Sequence, residues 1–384
     1  PQPALYTWFL KGLNGIWQNI YFICVVQISL FSITLGWLLC RLLDAGRWRY
    51  AAAALCAIDP YTSNMCATLL SEALFMSFLF LSMLFAIEYF RRPERVTFVI
   101  LFAAALALAY LTRYIGVAIG VFFVCSMILN RDCRPKAFRH IIILILVSQA
   151  VIFPVRAWHK RVHCTYSIDA GSIGTVLWGN AAFLYPESHV RTHPKTDFER
   201  FLAARGTEEF TLEKTLACDP FLDPQSALRQ YMDTFQIASE EDMNKKKLVE
   251  LSNSITVTAL KIIIEHPFKY LFQYVPRSFA ILFTQDERYD YDGEFKFIRE
   301  YMIDLYGYDR HVVVVYNRYY WMVYFALLVM TVIGQMLTRM PQYHISLFIL
   351  TYLGMIALII PFSLRYVMVL PPLILLNAAL TCRH

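Results

Sequence analysis

The chain has 384 residues, of which 58% are hydrophobic and 16% aromatic while only 17% are charged. A soluble core cannot absorb that much apolar surface, so the composition predicts an all-α polytopic membrane protein. The formal net charge of +6 sits mainly in short connections between apolar runs, where it anchors a membrane protein, and nothing in it points to nucleic acid.

The opening stretch PQPALYTWFLKGLNGIWQN reads as an interfacial segment, with Tyr6, Trp8 and Trp17 at headgroup level. A hydrocarbon layer of about 30 Å needs about 20 apolar residues per crossing. Such runs lie near 20–43, 72–90, 96–112, 114–130, 139–156, 319–337, 344–361 and 364–380. The shorter run 50–58 joins them if its helix continues into YTSNM. The expected fold is therefore about nine transmembrane helices plus a mainly α extracytoplasmic domain, divided as 1–156, 157–318 and 319–384.

Alternate connections hold Arg41, Arg47 and Arg49; Arg91, Arg92 and Arg95; Arg131, Arg134, Lys136 and Arg139; then Arg339 and Arg383. The positive-inside rule makes those ends cytoplasmic. The opposite connections hold only Lys11, Arg113 and Arg365, so the chain is expected to start outside and end inside. An outer start at Pro1, with no Met and no signal-peptide pattern, implies at least one further span before it.

Segment 157–318 differs in kind, with 19 basic and 23 acidic residues against 16 and 6 in the remainder. It reads as a water-facing domain with helices at 196–216, 224–237 and 239–265. The last opens on Ser239, Glu240, Glu241 and Asp242, which suits a helix N-terminus. The stretch YLFQYVPRSFAILF reads as a helix lying in the interface. Seven of the nine cysteines lie in or beside spans, where a thiol is a small apolar side chain. Cys164 and Cys218 stand in the outer domain, where an oxidising compartment would allow a disulfide.

Six acidic residues lie outside that domain, and Asp44, Glu88, Glu94 and Asp132 sit among arginines at cytoplasmic ends. Asp59 and Glu72 remain, both at the outer face, with no Lys or Arg between them. An ionisable group at membrane depth costs roughly 2.5 to 3.5 kcal/mol on insertion scales, which makes these two carboxylates catalytic candidates. The plainer readings are a turn residue before Pro60 and an anion at a helix N-terminus. Arg113 in YLTRYIG and Arg365 in PFSLRYVMVLPP lie at the same face. Guanidinium groups there suit bidentate contact with a phosphate, or act as snorkelling anchors. Trp178 is a candidate for stacking on a sugar ring, although interfacial belts also place aromatic residues, and the belt is the better reading for Tyr319, Tyr320 and Trp321. The pairs His159/His163 and His189/His193 have helical spacing, but one follows a membrane exit and the other ends in Pro, so neither is read as a metal site. The acidic cluster QDERYDYDGEF lacks calcium-loop spacing and reads as a solvated loop.

Several stretches then occur in a telling order: LLSEALF opening a span, ALALAYLTRYIGV, PVRAW followed by SIDAGSIGTVLWGN, EHPFKYL, and RYVMVLPPLILL in the last span. In this order the chain resembles the multi-span GT-C glycosyltransferases that use polyprenyl-phosphate sugars, among them dolichyl-phosphate-mannose protein mannosyltransferases and aminoarabinose transferases. The resemblance implies a donor phosphate in a membrane cavity and a lipid, glycan or protein acceptor entering from the extracytoplasmic side. It carries onto Glu72, Arg113 and Arg365. Asp59 stands where many relatives have an uncharged residue, and the family's acidic pair in the first outer loop falls before Pro1. Arg can take the place of a metal beside a departing phosphate, and a carboxylate pair is able to hold a divalent cation, so the reading fixes no cofactor and leaves a divalent cation open.

The rival from another class is a transporter or lipid flippase, which calls for repeats and polar groups near the bilayer midplane. The chain has no repeat, and its rim charges favour the transferase. A bacterial inner membrane is favoured over the endoplasmic reticulum because the outer domain is modest in size and has no N-x-S/T sequon. Labelling of single cysteines from outside should reach positions near Asp197 or Glu241 and spare positions near Arg92 or Arg134. The opposite preference would overturn the orientation.

Overall fold

The computed structural model describes residues 4–43, 46–59, 62, 71–163, 256–257, 260–261, 263–276, 310–338, 344–359 and 370–382. Among them there are helices and turns and no strand. In chain order the main helices are α1 (Ala4–Ile16), α2 (Ile20–Leu42), α3 (Arg47–Ile58), α4 (Ser71–Arg91), α5 (Val96–Thr112), α6 (Val117–Leu129), α7 (Arg134–His163), α8 (Arg310–Thr338), α9 (His344–Ile359) and α10 (Leu370–Cys382). A 3-10 turn, Tyr114–Gly116, joins α5 to α6. The chain divides into two compact units, one of residues 2–158, 323–355 and 365–384, the other containing residues 159–322 and 356–364.

Among the described residues four helices are long and apolar enough to cross a membrane: Ile20–Leu42, Ser71–Arg91, Arg134–Arg161 within α7, and Tyr319–Leu337 within α8. They mark the chain as an integral membrane protein. Val96–Thr112, Tyr114–Leu129, His344–Gly354 and Leu370–Cys382 are apolar but shorter. Helix α3 covers run 50–58 and has its C-cap at Asp59. Its 12 residues extend only about 18 Å at about 1.5 Å per residue, and the continuation through 63–70 lies outside the described residues. The expected helices between 164 and 255, and the proposed disulfide Cys164–Cys218, lie outside them too. Of the expected aromatic belt, Tyr319 is 61% exposed but Trp321 is buried.

The first unit is organised around the antiparallel hairpin α4–α5. Residues 92–95 close it tightly, with Arg92 N–H bonded to the Glu88 carbonyl at 3.1 Å and Arg95 N–H to the Arg92 carbonyl at 3.0 Å. Ala103, Ala105, Ala107 and Ala109 are buried along α5, and small side chains let apolar helices approach closely where lipid supplies no hydrophobic drive. Helix α4 is buried through most of its length, from Glu72 to Tyr89. At the far end of α5 the backbone doubles back on itself. A Cβ at Gly116 would stand 2.8 Å from the backbone nitrogen of Tyr110, so only glycine fits that approach.

The basic ends of these helices are tied together as the sequence leads one to expect. Glu88 lies 3.7 Å from Arg41 and 3.5 Å from Arg91. Glu94 pairs with Lys136, and the bond and charge of that lysine hold its carboxyl below the ordinary range. Arg49, at the start of α3, donates from Nε to the Leu43 carbonyl at 2.8 Å and so satisfies the C-terminal end of α2. Farther along the chain a buried polar ring joins α8, α9 and α10. Gln335 Nε2 donates to Asn377 Oδ1 at 2.9 Å, Asn377 Nδ2 donates to Ser346 Oγ at 2.7 Å, and Ser346 Oγ donates to Gln335 Oε1 at 2.7 Å. Such interhelical bonds register apolar helices against one another in lipid.

Candidate functional site

Glu72 occupies the first turn of α4 and Arg113 the residue that ends α5. The hairpin dictates their meeting. Counting back from Arg91 to Glu72 gives 19 residues, and counting on from Val96 to Arg113 gives 17. At about 1.5 Å per residue these are paths of about 28 and 26 Å, so both side chains reach the same height on adjacent helices. There Arg113 Nη1 and Glu72 Oε1 form an ion pair. Glu72 is 1% exposed and Arg113 8%, so each charge is compensated where water cannot compensate it.

Local structure fixes both partners. The Ser71 hydroxyl donates to Glu72 Oε2 at 3.4 Å. Thr112 Oγ1 bonds back to the carbonyls of Leu108 and Ala109, each at 2.8 Å. Arg113 then leaves the helix in an extended conformation (φ −153°, ψ 131°), with its own N–H still bonded to the Ala109 carbonyl at 2.8 Å.

Two further helices bring polar groups beside this pair. Tyr6, on α1, is buried, and its hydroxyl donates to Oε1 of the fully buried Gln27 of α2 at 3.4 Å. Burial pushes the Tyr6 phenol above its ordinary range, and the charge of Glu72 pushes it the same way. Tyr6 is therefore a neutral hydrogen-bond donor beside Glu72. The sequence reading assigned Tyr6 to the headgroup belt, and the structure buries it instead. Gln27 was passed over, although a lone Gln in an apolar run was a signal for it.

Asp59 is 4% exposed and ends α3. Its Oδ2 accepts the Thr62 N–H at 2.7 Å, which is a turn tie, and its Oδ1 accepts the Tyr324 hydroxyl of α8 at 3.2 Å. The expectation that Asp59 and Glu72 are uncompensated carboxylates is therefore corrected. Glu72 has a guanidinium, and Asp59 has donors from a turn and from a distant helix. Tyr324 has no local sequence signal, since 265 positions separate it from Asp59.

Arg365 and Trp178 lie outside the described residues, as do His189, His193 and the acidic cluster of 286–294. His159 is buried on α7. Among the described residues no three His, Cys, Asp or Glu side chains gather as metal ligands do.

A double-mutant cycle tests the pair. Glu72→Gln alone leaves Arg113 charged and buried, and should lower unfolding stability by about 3 to 5 kcal/mol. Combining it with Arg113→Gln should cost less than the sum of the single changes by at least about 1 kcal/mol. Additive losses in denaturant unfolding, all in one detergent, would show the two residues uncoupled.

Comparison with protein-family models, with curated proteins and with solved structures finds no match for this chain.

Proposed function

We propose that the chain is a membrane glycosyltransferase that moves a sugar from a polyprenyl-phosphate donor to a lipid, glycan or protein acceptor. In this reading it sits in a bacterial inner membrane with about nine spans, and residues 157–318 face the extracytoplasmic side. The observation that carries the proposal is the Glu72–Arg113 pair, a charged couple buried at the ends of two packed apolar helices.

The chemistry follows from valence. A guanidinium presents five N–H donors in a planar fork, and its geometry accommodates a phosphate edge alongside a carboxylate edge. Glu72 acts as a positioning residue, holding Arg113 in the orientation that meets the donor. Arg113 then stabilises the polyprenyl phosphate as it departs with the bonding electron pair of the sugar C–O bond, while the acceptor hydroxyl oxygen bonds to the same sugar carbon and Asp59 takes its proton. Charge fixed in advance in a water-poor site is the largest single source of rate enhancement in such reactions. Arg365 is proposed as a second phosphate contact and Trp178 as a sugar contact. Asp59 is the carboxylate proposed to orient the acceptor hydroxyl, alone or through a divalent cation.

The test is sugar transfer by the purified chain from a polyprenyl-phosphate donor. Arg113→Ala should lower kcat/KM about a hundredfold, a loss of about 2.7 kcal/mol in transition-state stabilisation. Arg113→Lys should fall between the two, because it keeps the charge and loses the fork. Donor kinetics unchanged in both variants would reduce Arg113 to an anchor and remove the basis of the proposal.

A further inference from the structure

A second feature lies on the other flank of α5. Helices α5, α6 and α7 enclose a groove of about 490 Å³ that is open along one side. That volume falls within the range of about 300 to 1,000 Å³ typical of small-molecule sites. Its wall is apolar, built from residues such as Leu106, Val121, Leu144 and Ile152, with Tyr110, Gln149 and Arg156 also lining it. Val117, Val121 and Ile145 are 40 to 52% exposed, so the groove opens onto a surface that an integral membrane protein presents to hydrocarbon. Gly120 keeps it wide. A Cβ there would come within 3.2 Å of Leu106 Cδ2.

Arg156 distinguishes this groove from an ordinary gap between helices. Its Nη1 donates to Gln149 Oε1 at 3.0 Å, and among the described residues no carboxylate pairs with it. Helical side chains tilt toward the helix N-terminus, which directs the guanidinium over the groove. Its depth follows from α7 itself. Arg156 lies 17 residues beyond Arg139 and 22 beyond Arg134, or about 26 and 33 Å. With the basic start of α7 at one surface of a hydrocarbon layer about 30 Å thick, Arg156 reaches headgroup level at the other. Trp158 stands edge-on to Trp8 at 5.3 Å between ring centroids, an aromatic pair of the kind that marks such an interface.

We propose that this groove is a binding site for one anionic glycerophospholipid of the surrounding bilayer. One acyl chain lies along α5, α6 and α7, and the headgroup phosphate sits on Arg156. Charge complementarity selects the phosphate, and the apolar lining and lateral opening select a ligand that arrives from the hydrocarbon. A free anion would leave the groove unfilled. The inference rests on the membrane location alone and stands whether or not the chain transfers sugars.

The probe is phosphatidylglycerol in phosphatidylcholine nanodiscs holding the full chain. After extraction into mild detergent, native mass spectrometry should find phosphatidylglycerol retained in preference to phosphatidylcholine. Arg156→Gln and Gly120→Phe should each reduce that retention about tenfold, equivalent to about 1.4 kcal/mol. A photoreactive amino acid at Val121, which leaves Arg156 and Gly120 in place, should crosslink to a phosphatidylglycerol acyl chain, and this readout decides the matter if either variant folds poorly. Equal retention in folded variants, or a Val121 probe that captures no phospholipid, would overturn the proposal. Inorganic phosphate displacing the lipid at matched concentration would show an anion site only. Preferential capture of polyprenyl phosphate would reassign the groove to a transferase donor. Either result overturns it as well.

Discussion

Burying opposite charges between apolar helices constrains their surroundings more than any hydrophobic contact does. Each charge at the end of α4 or α5 would be expensive alone, and together they are tolerated only at close range with satisfied neighbours. Glu72 and Arg113 therefore require a fixed register between the two helices. The short 92–95 turn, the buried alanines of α5 and the backbone approach at Gly116 all serve that register. Slipping α5 by one residue would turn its side chains by about 100° and separate the pair. Around this hairpin, α1 and α2 contribute Tyr6 and Gln27, so four helices converge on one small polar volume.

The same physics recurs at other places in this unit. At the basic ends, Glu88 and Glu94 are held by Arg41, Arg91 and Lys136. Solvent there weakens each pair, and they act as anchors. The Gln335–Asn377–Ser346 ring is buried and uncharged, and it orients α8, α9 and α10 by geometry rather than by field. Arg156 differs from both. Its bonded partner is a neutral glutamine, and it borders an apolar groove. The amide partner is uncharged, so it leaves the net positive charge of Arg156 to act on a ligand.

Much of the fold was legible because membrane helices are written in long apolar runs with arginines at their ends. The runs at 20–43, 72–90 and 96–112 match α2, α4 and α5 within a residue or two. Run 50–58 was harder to read, since apolar composition does not reveal that the helix halts at Asp59. Asp59 and Glu72 stood out as acids in apolar surroundings, but their partners did not, because a partner is a tertiary fact. For Glu72 the partner was nonetheless derivable. Equal path lengths from the 92–95 turn place Arg113 opposite it, and reading the two residues as separate functional groups missed that arithmetic. Tyr324 had no such local route to Asp59. Gln27 was legible as a lone amide within a span, and Tyr6 was hidden because interfacial tyrosines are common.

The central claim is that the Glu72–Arg113 pair receives a lipid-linked phosphate, and phosphorus NMR of polyprenyl phosphate added to the purified chain addresses it most directly. The double variant Glu72→Gln with Arg113→Gln removes both charges together and so avoids stranding either one in the interior. The account predicts a shifted and broadened phosphate resonance with the wild-type chain, and a resonance like that of protein-free micelles with the double variant. The same shift and broadening with both proteins would contradict it.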